Sequence, residues 1–441
     1  MALHQHIKRI ARFKGDRLRF HRTLYFPRHF LWGASTSAYQ VEGKNIHSDW
    51  WQWEKNSSQR FRSGNACDHY ELYEKDFDYA KDLHQNAHRF SIEWSRIEPK
   101  EGEWDRNAIE HYRSVILALH KRHIKPIITL HHFTNPEWFQ KKGGWARRRS
   151  VFYFSRFVRF VIGELGDIAH FWITVNEPMV YCTMSYLSGV WPPGKKSYFL
   201  ANLAYHNLAR AHREAYSIIH GIYKKKDWHP PKVGAAINSV SLHTYQKHSF
   251  LSWLFMRVSD WIWNHSFYFL TGETHDFIGI NYYFHYRLKE PHFRTIKFFL
   301  EARNEKREMS SVGWEVYPQG IFDVLLDFRR YKIPIYITEN GIATTNESKR
   351  SRYIVSYLKE VYHAIQAGVD VRGYFYWSLM DNFEWEKGFA PRFGLLDVNY
   401  KTYQRTYRQA ALVYSEVCRT NSIPHHLLAY IGHSVEREKR K

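Results

Sequence analysis

Phe171-Trp172-Ile173-Thr174-Val175-Asn176-Glu177-Pro178 is the stretch whose reading decides the fold. A short run of β-branched and aromatic residues ends on a carboxylate. Ile335-Tyr336-Ile337-Thr338-Glu339-Asn340-Gly341 repeats the pattern further along the chain. Parallel barrel strands read this way, and functional residues of such barrels stand at strand C-terminal ends.

Outward from these two stretches, strand-like and helix-like patterns alternate from about residue 30 to residue 420. Further strands are expected at Phe30–Ala34, Ala87–Ile92, Pro126–Leu130, Val233–Ser239, Phe277–Asn281 and Gly373–Trp377. Helices are expected between them, among them Asp68–His84, Asn107–Arg122, Val151–Leu165, Leu200–Tyr223, Gln319–Arg330 and Tyr353–Ala367, with a last one at Tyr403–Cys418. Eight consecutive βα units imply an α/β fold, a single (β/α)8 TIM barrel with elaborated βα loops. A doubly wound open sheet is the alternative, but no GxGxxG fingerprint supports it. The barrel is expected over 25–425, with a basic peripheral leader over 1–24 and a basic tail over 426–441.

The 441 residues suit one elaborated barrel. Aromatic residues make up 18%, more than a core alone needs, and sugar-binding clefts use such rings as platforms. Lysine and arginine (64) exceed aspartate and glutamate (43), for a net charge of +21. Such an excess suits nucleic acid, anionic membrane or acidic polysaccharide. No nucleic-acid motif accompanies it, so a solvated basic surface is expected and no nucleic-acid partner. No apolar run is long enough to span a membrane, and the basic N-terminus lacks the core of a secretory signal. Cys67, Cys182 and Cys418 are odd in number and widely spaced. They imply no disulfide framework and no metal site, and a cytoplasmic setting is expected.

Two carboxylates across one site are what hydrolysis of a glycosidic bond requires: a protonated acid at the leaving oxygen and an ionised group at the anomeric carbon. Further strings stand at strand ends and βα loops. They are Phe30-Leu31-Trp32-Gly33-Ala34 with Gln40-Val41-Glu42-Gly43; Cys67-Asp68-His69-Tyr70; Arg89-Phe90-Ser91-Ile92; Thr129 to His132; Ile280-Asn281-Tyr282-Tyr283; Gly313-Trp314-Glu315; and Trp377 through Trp385. With Asn176-Glu177-Pro178 and Thr338-Glu339-Asn340-Gly341, nine strings in order resemble the family-1 β-glycosidases, the β-glucosidases, β-galactosidases and relatives.

That resemblance implies a retaining β-glycosidase acting on small β-glucosides and β-galactosides through a covalent glycosyl-enzyme, with no metal and no cofactor. By resemblance, Glu177 is the general acid/base and Glu339 the nucleophile, held by Arg89 and Tyr283. Asn176 would hydrogen-bond the sugar 2-hydroxyl. Gln40, His132, Asn281, Glu384, Trp377 and Trp385 match the sugar-binding set, and Trp314 an aglycone-side platform. A carboxylate at Glu384 would repel a 6-phosphate. Transglycosylation shares the covalent intermediate, and a non-catalytic sugar-binding barrel is the alternative of another class.

The chain departs from the family's pattern in two places. Phe133 stands where a tryptophan is usual. The segment from Ser241 to Asp276 is short, aromatic and basic, where relatives commonly make a longer excursion. It is expected to repack as one amphipathic helix. An oligomer contact is a second possibility. The third is a planar apolar ligand such as haem at the face of Tyr268 or His265.

Overall fold

The computed structural model describes residues 23–56, 61–244, 249–288 and 307–432. Eight strands close into one barrel in chain order. They are β1 (Leu31–Ser35), β2 (Ala87–Ser91), β3 (Lys125–Thr129), β4 (Phe171–Asn176), β5 (Lys232–Thr244), β6 (Phe277–Leu288), β7 (Ile335–Asn340) and β8 (Val371–Trp377). All eight neighbour pairs are parallel, and β1 closes the ring on β8 with Leu31 opposite Gly373 and Ser35 opposite Trp377.

The barrel interior is filled, not hollow. Ile127, Phe171, Ile173, Phe277, Tyr336 and Phe375 form a separate buried cluster there. Gly33 makes room for this filling: a Cβ on it would stand 2.8 Å from the Phe375 ring and 2.3 Å from the Ala87 carbonyl oxygen. The outer faces of the strands bury against the helices in a second, larger core. Several of the helices start on a capping side chain. Asp105 accepts from the amides of Asn107 and Ala108 ahead of Arg106–Lys121, and Ser197 accepts from Leu200 N ahead of Tyr198–Lys226.

Several expected boundaries shift. β5 and β6 pair on from Val240↔Phe284 to Thr244↔Leu288, beyond the expected ends at Ser239 and Asn281. A register shift after Ser239 carries the pair past the barrel mouth. There Ser241, His243, His285 and Arg287 interrupt the apolar run that marks a barrel strand. The last helix begins at Gln409, not Tyr403, because Arg405–Tyr407 pairs antiparallel with Leu396–Val398.

At the N-terminal face of the barrel Leu24–Tyr25 pairs with Ser422–Ile423. Leu24, Leu427 and Leu428 are buried, so the packed body extends past the expected limits at 25 and 425. Residues 1–22, 289–306 and 433–441 lie outside the described residues, and with them most of the expected leader and tail.

Between β5 and β6 the chain forms a helix, Phe250–Asp260, a π-helical turn, Trp261–His265, and a second helix, Ser266–Thr271. The segment is helical as expected, but a π-helical turn divides it in two, and the first helix turns its apolar residues outward instead of packing them on the barrel. Tyr268 and His265 do not offer a face to a planar ligand. Tyr268 is buried against His275, Phe328 and Tyr331. His265 is buried and engaged by Asp327 at 2.6 Å and the Tyr331 hydroxyl at 2.9 Å.

Candidate active site

Glu177 and Glu339 both stand at the C-terminal end of the barrel. Glu177 directly follows β4 in a left-handed conformation, φ 45° and ψ 57°. A non-glycine residue held there costs about 1–3 kcal/mol. Its amide donates to the Ala236 carbonyl at 2.7 Å, and Pro178 opens the short helix Pro178–Cys182 behind it. Glu339 is the next-to-last residue of β7. Gly341 lets the chain leave that strand: a Cβ on it would lie 1.9 Å from the Trp377 carbonyl oxygen.

The two carboxyl groups hang on one hydrogen-bonded frame. Arg89, on β2, donates from Nη1 to Glu339 Oε1, from Nη2 to Asn176 Oδ1 at 2.7 Å and from Nε to Thr129 Oγ1 at 3.2 Å. Tyr283, on β6, donates its hydroxyl to Glu339 Oε2 at 2.9 Å. Asn281 Nδ2 lies 3.0 Å from Asn176 Oδ1 and 2.8 Å from Glu177 Oε1. Thr338 Oγ1 donates to Asn281 Oδ1 at 2.6 Å and so fixes which way that amide faces. Asn238, on β5, adds a longer contact of 3.4 Å to Glu177 Oε1, and Trp263 donates to its Oδ1 at 3.3 Å.

The environments of the two carboxyls differ. Both are buried, Glu177 at 7% and Glu339 at 4% exposure. Burial, then the charge on Glu339, pushes Glu177 up to about 8, and the amides of Asn281 and Asn238 relieve this only in part. Burial also raises Glu339, but the Arg89 guanidinium and the Tyr283 hydroxyl oppose it. The cation is in direct contact with Glu339 and not with Glu177, so a proton shared by the pair belongs on Glu177.

The other expected residues gather beside this pair. Trp377 closes β8 and donates from Nε1 to Glu384 Oε1 at 3.2 Å. Burial pushes Glu384 up to about 8. Gln40 is locked by Ser37, which donates to its Oε1 at 2.7 Å, and by its own donations to Asn382 Oδ1 and Phe383 O at 3.0 and 2.9 Å. The His132 ring stacks on Trp377 at 6.0 Å, and Asn176 Nδ2 lies 3.3 Å from its Nε2. Burial, then Arg89, holds the imidazole well below its usual range, so it is neutral, and its Nδ1 has no protein partner among the described residues.

Trp385 lies within a cage of rings, 4.8 Å from Trp50, 5.6 Å from Trp191, 5.9 Å from Tyr39 and 5.5 Å from Phe133. Phe133 therefore still fills the space where a tryptophan was expected, as packing. Trp314 lies against Phe284 at 4.6 Å, Tyr283 at 5.4 Å and Phe393 at 5.8 Å, on the Tyr283 side of the pair. All twelve expected residues are thus found at one end of the barrel. Asn238, Thr338 and Trp263 were not anticipated. Asn238 was findable in principle, from its place on the inner end of β5; Trp263 left no local signal.

Residues 22–250 and 262–423 match the family described as Glycosyl hydrolase family 1. The chain is 30% identical to a Beta-galactosidase from Pyrococcus woesei, over 90% of this chain and 98% of that one. It is 31% identical to Beta-glucosidase A from Thermotoga maritima, again over 90% and 98%. Among solved structures it is similar to the beta-glycosidase from Pyrococcus horikoshii, with a TM-score of 0.88, 39% identity, and coverage of 94% and 99%. Sequence match, barrel and buried carboxyl pair agree: the chain belongs to glycosyl hydrolase family 1 and is a glycoside hydrolase.

Proposed function

We propose that this retaining β-glycosidase hydrolyses small β-glucosides and β-galactosides, with Glu339 as nucleophile and Glu177 as acid/base. The observation that carries the assignment is the unequal support of two buried carboxyls: a guanidinium and a phenol on Glu339, only amides on Glu177. In the first step Glu339 attacks the anomeric carbon while Glu177 gives its proton to the departing oxygen. The glycosidic C–O bond breaks and a glycosyl ester on Glu339 forms. Esterification removes the charge that helped to raise Glu177, so its affinity for the proton falls. Glu177 then takes a proton from water, water oxygen bonds to the anomeric carbon, and Glu339 leaves as a carboxylate.

Sugar binding falls to the side chains around the pair. Glu384 takes the hydroxyls farthest from the anomeric centre, His132 offers its free Nδ1–H, and Gln40 contributes from its locked amide. Trp377 and Trp385 supply apolar faces, Asn176 holds the 2-hydroxyl, and Trp314 stands on the aglycone side. A reducing, cytoplasmic setting fits three cysteines that are buried and unpaired.

The test is turnover of 4-nitrophenyl β-glucoside and β-galactoside by the purified chain, with Glu339→Gln beside it. Both sugars should be cleaved, and the variant should lose at least about 10³-fold. Equal rates for the two proteins would remove Glu339 from the mechanism.

A further inference from the structure

The first helix between β5 and β6, Phe250–Asp260, with the π-helical turn that follows it, faces the wrong way for water. Toward the barrel it turns Ser252 and Ser259, both buried, and Asn264, whose side chain is spent on the backbone of Val240 at 3.0 and 2.9 Å. Outward it turns Phe250, Trp253, Leu254, Val258, Trp261 and Ile262, each between 43% and 71% exposed. Phe269, at 73% exposure, continues the patch and touches Trp261 with ring centroids 5.6 Å apart. Contiguous exposed apolar surface of this kind marks a place where something else binds. The family match is interrupted over 251–261, so most of this face lies outside what the family has in common.

We infer that this face docks the protein on an anionic lipid bilayer, with the helix lying along the interface. No helix among the described residues is long and apolar enough to cross a membrane, so the contact is peripheral. Tryptophan and phenylalanine are the side chains suited to the depth between headgroups and acyl chains. The charge decides between a bilayer and a second copy. Each chain carries +21, so pairing two copies through this face works against their repulsion, whereas an anionic surface attracts the same charge.

Cations also stand on this helix and on the element that it joins. Arg257 projects from the helix itself, exposed and 3.8 Å from Asp260. Arg329, Arg330 and Lys332 are exposed at the end of the helix Gln319–Phe328, which His265 joins through Asp327; Arg330 is paired with that carboxylate, and Lys332 follows it in the chain. Cations around an apolar helical face are the arrangement by which interfacial helices select negatively charged lipid.

The experiment is flotation of the full chain with vesicles of pure phosphatidylcholine or of an equal mixture of phosphatidylcholine and phosphatidylglycerol, at low and high salt. A triple variant, Trp253→Gln, Leu254→Gln and Ile262→Gln, removes apolar surface without changing charge. A single Leu254→Gln variant serves if the triple one has an altered thermal melt. The wild type should float with the mixed vesicles, and more of it at low salt. The triple variant should bind at least about tenfold more weakly, the single variant about twofold to fourfold, as loss of buried apolar area requires. Three results would overturn the proposal: no flotation of the wild type, equal flotation of wild type and variants, which would make charge alone responsible, or a dimer in sedimentation that the variants dissociate.

Discussion

Asn281 donates across 2.8 Å to Oε1 of Glu177, while its own oxygen is held by Thr338 at 2.6 Å. The amide therefore cannot swing away, and it favours the ionised form of both carboxyls. Replacing it by alanine removes that support from both. For Asn281→Ala we expect both limbs of the pH–rate profile to move to higher pH. The maximal rate should fall by about 10²-fold, as for a reacting group displaced by about 1 Å. A profile with unmoved limbs would show that the amide only fills space.

The wild-type profile itself follows from the unequal carboxyls. With the proposed roles, the first step needs Glu177 protonated and Glu339 ionised. Glu177 is raised to about 8 by burial and by the charge on Glu339, so kcat/KM should hold through neutrality and fall as pH rises through about 8. Glu339 loses its charge on the acid side and sets the other limb. The basic limb of kcat should differ, because the glycosyl ester has no charge to repel Glu177. A plot of kcat/KM that keeps rising past pH 9 or so would contradict the assignment.

Glu177→Ala separates the two duties proposed for this residue. Glycosides whose leaving group needs no proton, such as 2,4-dinitrophenyl, should still form the glycosyl ester, while alkyl glycosides should not. The second step then limits the rate, because no base remains to activate water. Steady-state turnover should show a burst of released phenol, and added azide should restore rate by attacking without a base. The same loss for good and poor leaving groups would mean that another residue is the acid.

Glu384→Ala should act on binding. The carboxyl sits beside Trp377 Nε1 at 3.2 Å and, raised to about 8 by burial, can both donate and accept near neutrality. Alanine leaves the indole donor without its partner and the sugar without its hydroxyl contacts, at about 1–3 kcal/mol. We expect weaker binding of both epimers and a changed ratio of glucoside to galactoside cleavage, read from kcat/KM for the two nitrophenyl sugars. An unchanged ratio and KM would place Glu384 outside the sugar site.

The parts of this design that were legible in the sequence are those governed by local rules. Phe171 to Val175 and Ile335 to Thr338 read as barrel strands because both faces of such strands are buried, and the carboxylates at their ends followed. The continuation of β5 and β6 was not legible, because Ser241 and His285 break the apolar run where the pair leaves the barrel. Helix and strand also compete at Arg405–Tyr407, where pairing with Leu396–Val398 overrides the helical pattern. The contact from Trp263 through Asn238 to Glu177 joins residues far apart in the chain, and no local pattern encodes it.

A buried ion cluster joins the last quarter of the chain to the helix His69–Asp82, and its loss should be felt in stability. Asp76 is fully buried. It receives Arg405 Nε at 2.7 Å on one oxygen, Arg405 Nη2 at 2.9 Å on the other, and pairs with His69 Nδ1 at 2.7 Å. Burial raises the aspartate, but the contacts from His69 and Arg405 outweigh it and hold the carboxyl below its ordinary value. A depressed carboxyl contributes stability above its unfolded value of about 3.9 and loses it as pH falls through the folded value. Asp76→Asn leaves Arg405 buried beside a neutral amide, and breaking such a pair costs about 3–5 kcal/mol. Urea unfolding should show that deficit undiminished from pH 7 down to about pH 4, then shrinking as the wild-type carboxyl itself takes up a proton. A deficit that stayed constant into strong acid would mean that the loss comes from altered packing around Arg405 and not from the charge.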